Sequence, residues 1–166
     1  MSQVLQSYGA ISELVTTNLQ TLSSSSTAIW QSTMISASTL KAIDYKVFVR
    51  LPVNNTAPAN DKAMYVFVCP FTHSGGAVYF PTDIGTTTLP TGAEGTATIN
   101  SSSVLKMLGV LNYVTANQTV QDSWFAGNAF GSSMPDGFSV LIENFSGATL
   151  SSACVVAVQP ISQTVA

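Results

Sequence analysis

Residues 42–53, "AIDYKVFVRLPV", alternate: Ile43, Tyr45, Val47 and Val49 fall on one face, and Asp44, Lys46, Phe48 and Arg50 on the other. A period of two is the pattern of a β-strand with one side buried. The next stretch, "NNTAPAND" (54–61), is turn chemistry. Residues 63–71, "AMYVFVCPF", are apolar on both faces, and Pro70 implies an edge, a bulge or the strand's end. Further strands are predicted around 77–80, 97–100, 110–115, 119–125, 138–144 and 153–158, with the Gly-, Pro- and Thr-rich loop 81–95 between the first two. Residues 101–109, "SSSVLKMLG", read as a two-turn helix capped by Ser and stopped by Gly109.

About eight short strands with one intervening helix fit an antiparallel sandwich, because an α/β arrangement needs a helix after each strand. The expected fold is all-β: an eight-stranded antiparallel jelly-roll sandwich preceded by an N-terminal amphipathic helix. That helix is predicted from Val4, Tyr8, Ile11, Val15 and Leu22, which follow a spacing of mostly four and three residues. Residues 1–40 are read as a helical arm with a Ser-rich connector at 23–26, and residues 41–166 as the β-domain.

Composition narrows the function. Only 8% of the 166 residues are charged while 46% are hydrophobic, against about 25% charged in an ordinary soluble domain. Hydroxyls cover the surface instead: 22 Ser and 19 Thr. Net charge is −3, so little self-repulsion holds copies apart, and the chain is expected to associate with itself. The five cations, Lys41, Lys46, Arg50, Lys62 and Lys106, are too few and too scattered for a nucleic-acid patch. The first residues, "MSQVLQSYGAISELV", lack a basic n-region and a long apolar core, so they are not read as a secretory signal. No run reaches the 18 or so apolar residues of a membrane span. Four Asn-x-Ser/Thr triplets, at Asn54, Asn100, Asn117 and Asn144, are expected by chance in a chain this rich in Ser and Thr.

Catalytic and metal-binding constellations are sparse. Cys69 and the sole histidine, His73, stand four residues apart, which in an extended strand is roughly 13 Å, a distance that a turn at Pro70 would shorten; a buried inert Cys beside a loop His is expected ahead of a catalytic pair. Cys69 and Cys154 both lie in apolar runs, as buried cysteines do, and their pairing is left open. Asp83 and Glu94 in the long loop are the one candidate pair for a calcium ion between subunits, but no metal, cofactor or catalytic residue is assigned. Trp124, Phe125 and Phe130 are read as core or subunit-contact aromatics ahead of a sugar-stacking surface.

The C-terminal third, "WFAGN" (124–128), a loop, and "FSVLIENFSGATLSSACVVAVQP" (138–160), resembles the ending of coat proteins from small icosahedral RNA viruses, the satellite-virus and tymovirus-like coats among them. The resemblance implies a single jelly roll closed by the Cys154 strand, and a structural protein of the virion made in the host cytoplasm. Many such coats carry an Arg/Lys-rich arm that neutralises packaged RNA. This chain has neither residue before Lys41, so any enclosed nucleic acid would not be held strongly by the arm. The expectation is a capsid subunit without enzymatic activity, its partners copies of itself, contacting neighbours through Val4, Tyr8, Ile11, Val15, Leu22, Trp124 and Phe125. The competing readings are a trimeric fibre, spike or decoration module, and a carbohydrate-binding adhesin domain.

Overall fold

The computed structural model describes residues 4–25, 27–37, 42–59, 62–74, 77–79, 92–98, 105–131 and 133–165. Two antiparallel sheets pack face to face. One sheet is ordered β1 (Val4–Tyr8), β12 (Val155–Val165), β5 (Asp44–Pro52) and β10 (Thr119–Phe125), with β2 (Ser12–Glu13) also beside β12. The other is ordered β7 (Ala77–Tyr79), β6 (Ala63–Ser74), β11 (Gly137–Asn144), β3 (Ala28–Gln31) and β8 (Gly95–Thr98), with β4 (Ile35–Ser36) beside β11 and β9 (Lys106–Asn112) beside β6. One helical turn, α1 (Gly127–Phe130), follows β10.

Among the described residues, setting aside β2, β4, β7 and β8 leaves eight strands, and their pairings nest. The first pairs with the last (β1 with β12), the second with the seventh (β3 with β11), the third with the sixth (β5 with β10) and the fourth with the fifth (β6 with β9). The chain is thus one long antiparallel ribbon folded back on itself. Two further ladders, β12 with β5 and β11 with β6, stitch the wound ribbon into its two sheets.

The alternation in residues 42–53 does what its period requires. Tyr45, Val47, Val49 and Leu51 point inward and are buried, while Lys46, Phe48 and Arg50 face out. Ile43 precedes the strand and stays exposed. Across the interior, Val66 and Val68 of β6 and Phe138, Val140 and Ile142 of β11 complete the core, with the Tyr45 and Phe138 rings edge to face at 5.4 Å. Buried Tyr45 donates to the Ser36 carbonyl and Tyr113 to that of Leu51, both at 2.9 Å, so these two phenol hydroxyls carried into the core are satisfied.

β11 is buried along its whole length because its outer face carries a second cluster, in which Leu141 packs with Ile29, Phe67, Cys69 and Leu105. Pro70 does not end β6. It pairs with Phe138 at a place where, among the described residues, β6 has no second neighbour, since β9 reaches only to Val68 and β7 begins at Thr72. A missing N–H costs no ladder bond there.

Two expected helices are strands. Residues 4–8 run as β1 against β12, from Val4 opposite Val165 to Tyr8 opposite Ile161, and no N-terminal amphipathic helix forms. The physical reason lies in the spacing: residues four apart share a face in a strand as well as in a helix. Residues 106–109 belong to β9 rather than to a helix, and 101–104 lie outside the described residues.

The boundary at residue 40 also fails to separate an arm from a body. Leu19, Leu22 and Trp30 are in the main core, and β3 lies within the second sheet. A buried amide fixes this junction. The Asn144 Nδ2 group donates to the Leu22 carbonyl at 3.0 Å and to the Ala148 carbonyl at 2.8 Å, while Oδ1 accepts from the Ser146 N–H and hydroxyl. Asn144 is therefore a structural residue, and its triplet offers no accessible amide.

Candidate functional site

The residues expected at a subunit contact divide into two groups. Val4, Tyr8, Ile11 and Val15 are 59%, 54%, 58% and 56% exposed. Leu5, also half exposed, joins them, so residues 4–15 carry five large apolar side chains open to solvent. Every residue of β1 is exposed, and the strand is held by its ladder to β12. Its sequence, "VLQSY", contains neither a charge nor a proline, two of the devices that blunt an edge strand. Leu22 is not a contact residue: beyond the single 3-10 turn Leu19–Thr21 it turns into the core, where only 3% of its surface is exposed.

Trp124 and Phe125 end β10, on the opposite edge of the same sheet. The Trp124 side chain turns inward, half-buried against the core, and its indole lies over Gly109 of β9 so closely that a Cβ there would meet ring atoms at 2.3–2.5 Å. This glycine is the space the indole occupies, not a helix stop. Phe125 faces out on the other side of the strand and is 38% exposed. Phe130, on α1, packs on Phe138 with ring centroids 5.8 Å apart, as a core aromatic.

Beside β10, Met107 and Val110 of β9 and Val114 in the following turn are exposed too. Reading 101–109 as a helix hid Met107; Val110 and Val114 fall in the stretch 110–115 read as a strand, but its pairing on one side only, which leaves them uncovered, is not written in the local sequence. Among the described residues no strand pairs beyond β1 at one end of the first sheet or beyond β10 at the other.

The polar features are structural in character. Glu94 accepts the Trp30 indole N–H at 2.7 Å, the Asn18 backbone N–H at 2.8 Å and the Asn18 amide at 2.6 Å, which ties the end of the long loop to the N-terminal segment. Both its oxygens are engaged, and Asp83 lies outside the described residues. An open groove of about 380 Å³ on the outer face of the first sheet is lined by Phe48, Arg50, Gln121 and Asp122, a mixture of charges. Lys46 sits 4.9 Å from the Phe48 ring centroid, beside it.

Both cysteines are free and buried, Cys69 in the outer cluster and Cys154 in the main core. Burial pushes each thiol up to about 12, in the Cys154 case against the opposing pull of Arg50 and a backbone hydrogen bond. That is the reverse of what a nucleophilic cysteine requires. The His73 side chain lies outside the described residues. Burial also raises the carboxyl of Glu143 on β11, and no cluster of three potential metal ligands occurs among the described residues.

Compared with known proteins, the sequence matches no family model and no curated protein.

Proposed function

We propose that this chain is a viral coat subunit, a single jelly roll that assembles with copies of itself into a closed icosahedral shell. The observation that carries the reading is the nested pairing of the eight principal strands, first with last through to fourth with fifth, in the two sheets 1-8-3-6 and 2-7-4-5. Such nesting supports a jelly roll, an architecture that recurs in viral capsids but also in lectins and cupins. The fold alone therefore leaves several functions open. What favours a shell is the surface: few charges, many hydroxyl residues, and large apolar side chains left exposed on β1 and just after it, on β9 and at the end of β10. Many copies tiled through such edges make individually weak contacts whose sum stabilises a closed particle.

The test is the mass of the purified protein, measured by light scattering as it leaves a sizing column. A narrow peak of a particle far larger than a trimer is the expected result. A discrete trimer overturns the shell and favours a fibre or decoration module; a monomer that binds glycans favours the adhesin reading.

A further inference from the structure

We propose that the groove of about 380 Å³ on the outer face of the first sheet binds a single adenine nucleotide, with the base against Phe48, the base edge on the Gln121 amide and the phosphate on Arg50. The ladders build that face. Lys46, Phe48 and Arg50 project outward from β5, and β10 sets Ser123 opposite Phe48 and Gln121 opposite Arg50. Val155 of β12, opposite Arg50 on the other side, adds an apolar wall. An apolar floor with a few convergent polar groups, in a volume of this order, is the usual make-up of a small-molecule site.

Charge selects an anion. Arg50 and Gln121 are exposed, and neither side chain makes a hydrogen bond or ion pair among the described residues. The Lys46 Nζ, 4.9 Å from the centroid of the Phe48 ring, brings a second cation to the groove. Register sets the acids apart from it. Asp122 borders the groove but stands opposite Val49, on the sandwich side of β10, with its Oδ1 accepting the Ser123 N–H at 2.7 Å. Asp44 accepts the Tyr45 and Gly127 N–H groups, and Glu13 lies across β12, opposite Ala157.

The groups present narrow the anion further. A guanidinium fork holds a phosphate through two parallel hydrogen bonds. An aromatic ring stacks on a base. A carboxamide presents a donor beside an acceptor, the complement of the N6 and N7 edge of adenine. One ring and one fork suit one nucleotide, and the chain's five scattered cations are too few to hold a strand.

Equilibrium dialysis of the full-length chain against adenosine monophosphate, adenosine, inorganic phosphate and a short single-stranded oligoadenylate tests this. Adenosine monophosphate is expected to bind with a Kd of about 1 mM or below, and adenosine and phosphate each about tenfold more weakly. Arg50→Ala should weaken the nucleotide about tenfold and leave adenosine unchanged, and Gln121→Ala should erase any preference over uridine monophosphate. Both side chains are exposed, so each variant is expected to melt within a few degrees of the parent. Should Arg50→Ala melt early, Gln121→Ala on the edge strand carries the test. No binding of adenosine monophosphate at about 5 mM, binding that is unchanged in both variants, or phosphate bound as tightly as the nucleotide overturns the proposal. Oligoadenylate bound more than about tenfold tighter than the mononucleotide overturns it in favour of a strand.

Discussion

Asn144→Asp replaces one atom of a buried side chain and should cost the protein about 3 kcal/mol at neutral pH. The native amide donates to the carbonyls of Leu22 and Ala148, and both donations disappear when the nitrogen becomes oxygen. Each lost bond is worth about 1 kcal/mol. The Leu22 carbonyl is not orphaned, because it still accepts from the Leu150 N–H, and the Ala148 carbonyl lies 3.1 Å from the Ser146 hydroxyl, whose single hydrogen it shares with Oδ1, which keeps the bond loss near 2 kcal/mol. The remaining cost, about 1 kcal/mol or more, comes from placing a carboxylate oxygen against two carbonyl oxygens in a site without solvent contact.

The sign with pH follows. Burial and the facing carbonyls hold the introduced carboxyl above its unfolded value of about 3.9. The destabilisation is therefore smallest below that value, where the carboxyl is protonated in both states and can donate one bond again. It grows as pH rises through the raised folded-state value. Urea unfolding of parent and variant at about pH 7 and about pH 4.5 measures it, with a thermal midpoint lower by roughly 6–12 °C at neutral pH for a domain of this size. A loss below about 1 kcal/mol, or one independent of pH, would refute the placement of Asn144 as the amide that clamps the N-terminal segment to the β11–β12 turn.

Gly109→Val forces the Trp124 indole off β9, since even a Cβ would come within 2.5 Å of its ring; a loss of about 1–3 kcal/mol in thermal unfolding is expected, and a neutral result would remove the indole from that position. Cys69 and Cys154, with thiols pushed up to about 12, should react with a thiol reagent at neutral pH only after denaturant is added; rapid labelling of the native protein would contradict their burial. Burial raises the Glu143 carboxyl in the folded state, so this residue favours folding less as pH rises through its raised value; Glu143→Gln should flatten the decline in stability between mildly acid and neutral pH, and an unchanged slope would count against it.

The strands that carry the core were legible because their period is visible in one dimension. Tyr45, Val47, Val49 and Leu51 alternate with Lys46, Phe48 and Arg50, and the apolar-rich runs of β6 and β11 reflect burial on both faces. The N-terminal segment was not legible for a geometric reason: Val4 and Tyr8, four apart, satisfy both periods, and what decides for the strand is the distant partner β12. The same holds for 101–109, where Leu105 and Leu108 imitate a helical face but the ladder from β9 to β6 prevails.

Four apolar residues near the N-terminus were picked out as contacts on a helical stripe. They are exposed on and just beyond an edge strand, so the residues were readable while the element presenting them was not. Leu22 belonged to the same spacing, yet the turn before it and its neighbours in the core redirect it inward. The second edge, Met107, Val110 and Val114, depended on knowing that β9 has only one partner among the described residues, and no local pattern encodes that.

The most direct test of the account is an electron-microscopic reconstruction of the largest species the purified chain forms. A closed particle of identical subunits is the predicted result. A population of isolated monomers or discrete trimers would contradict it.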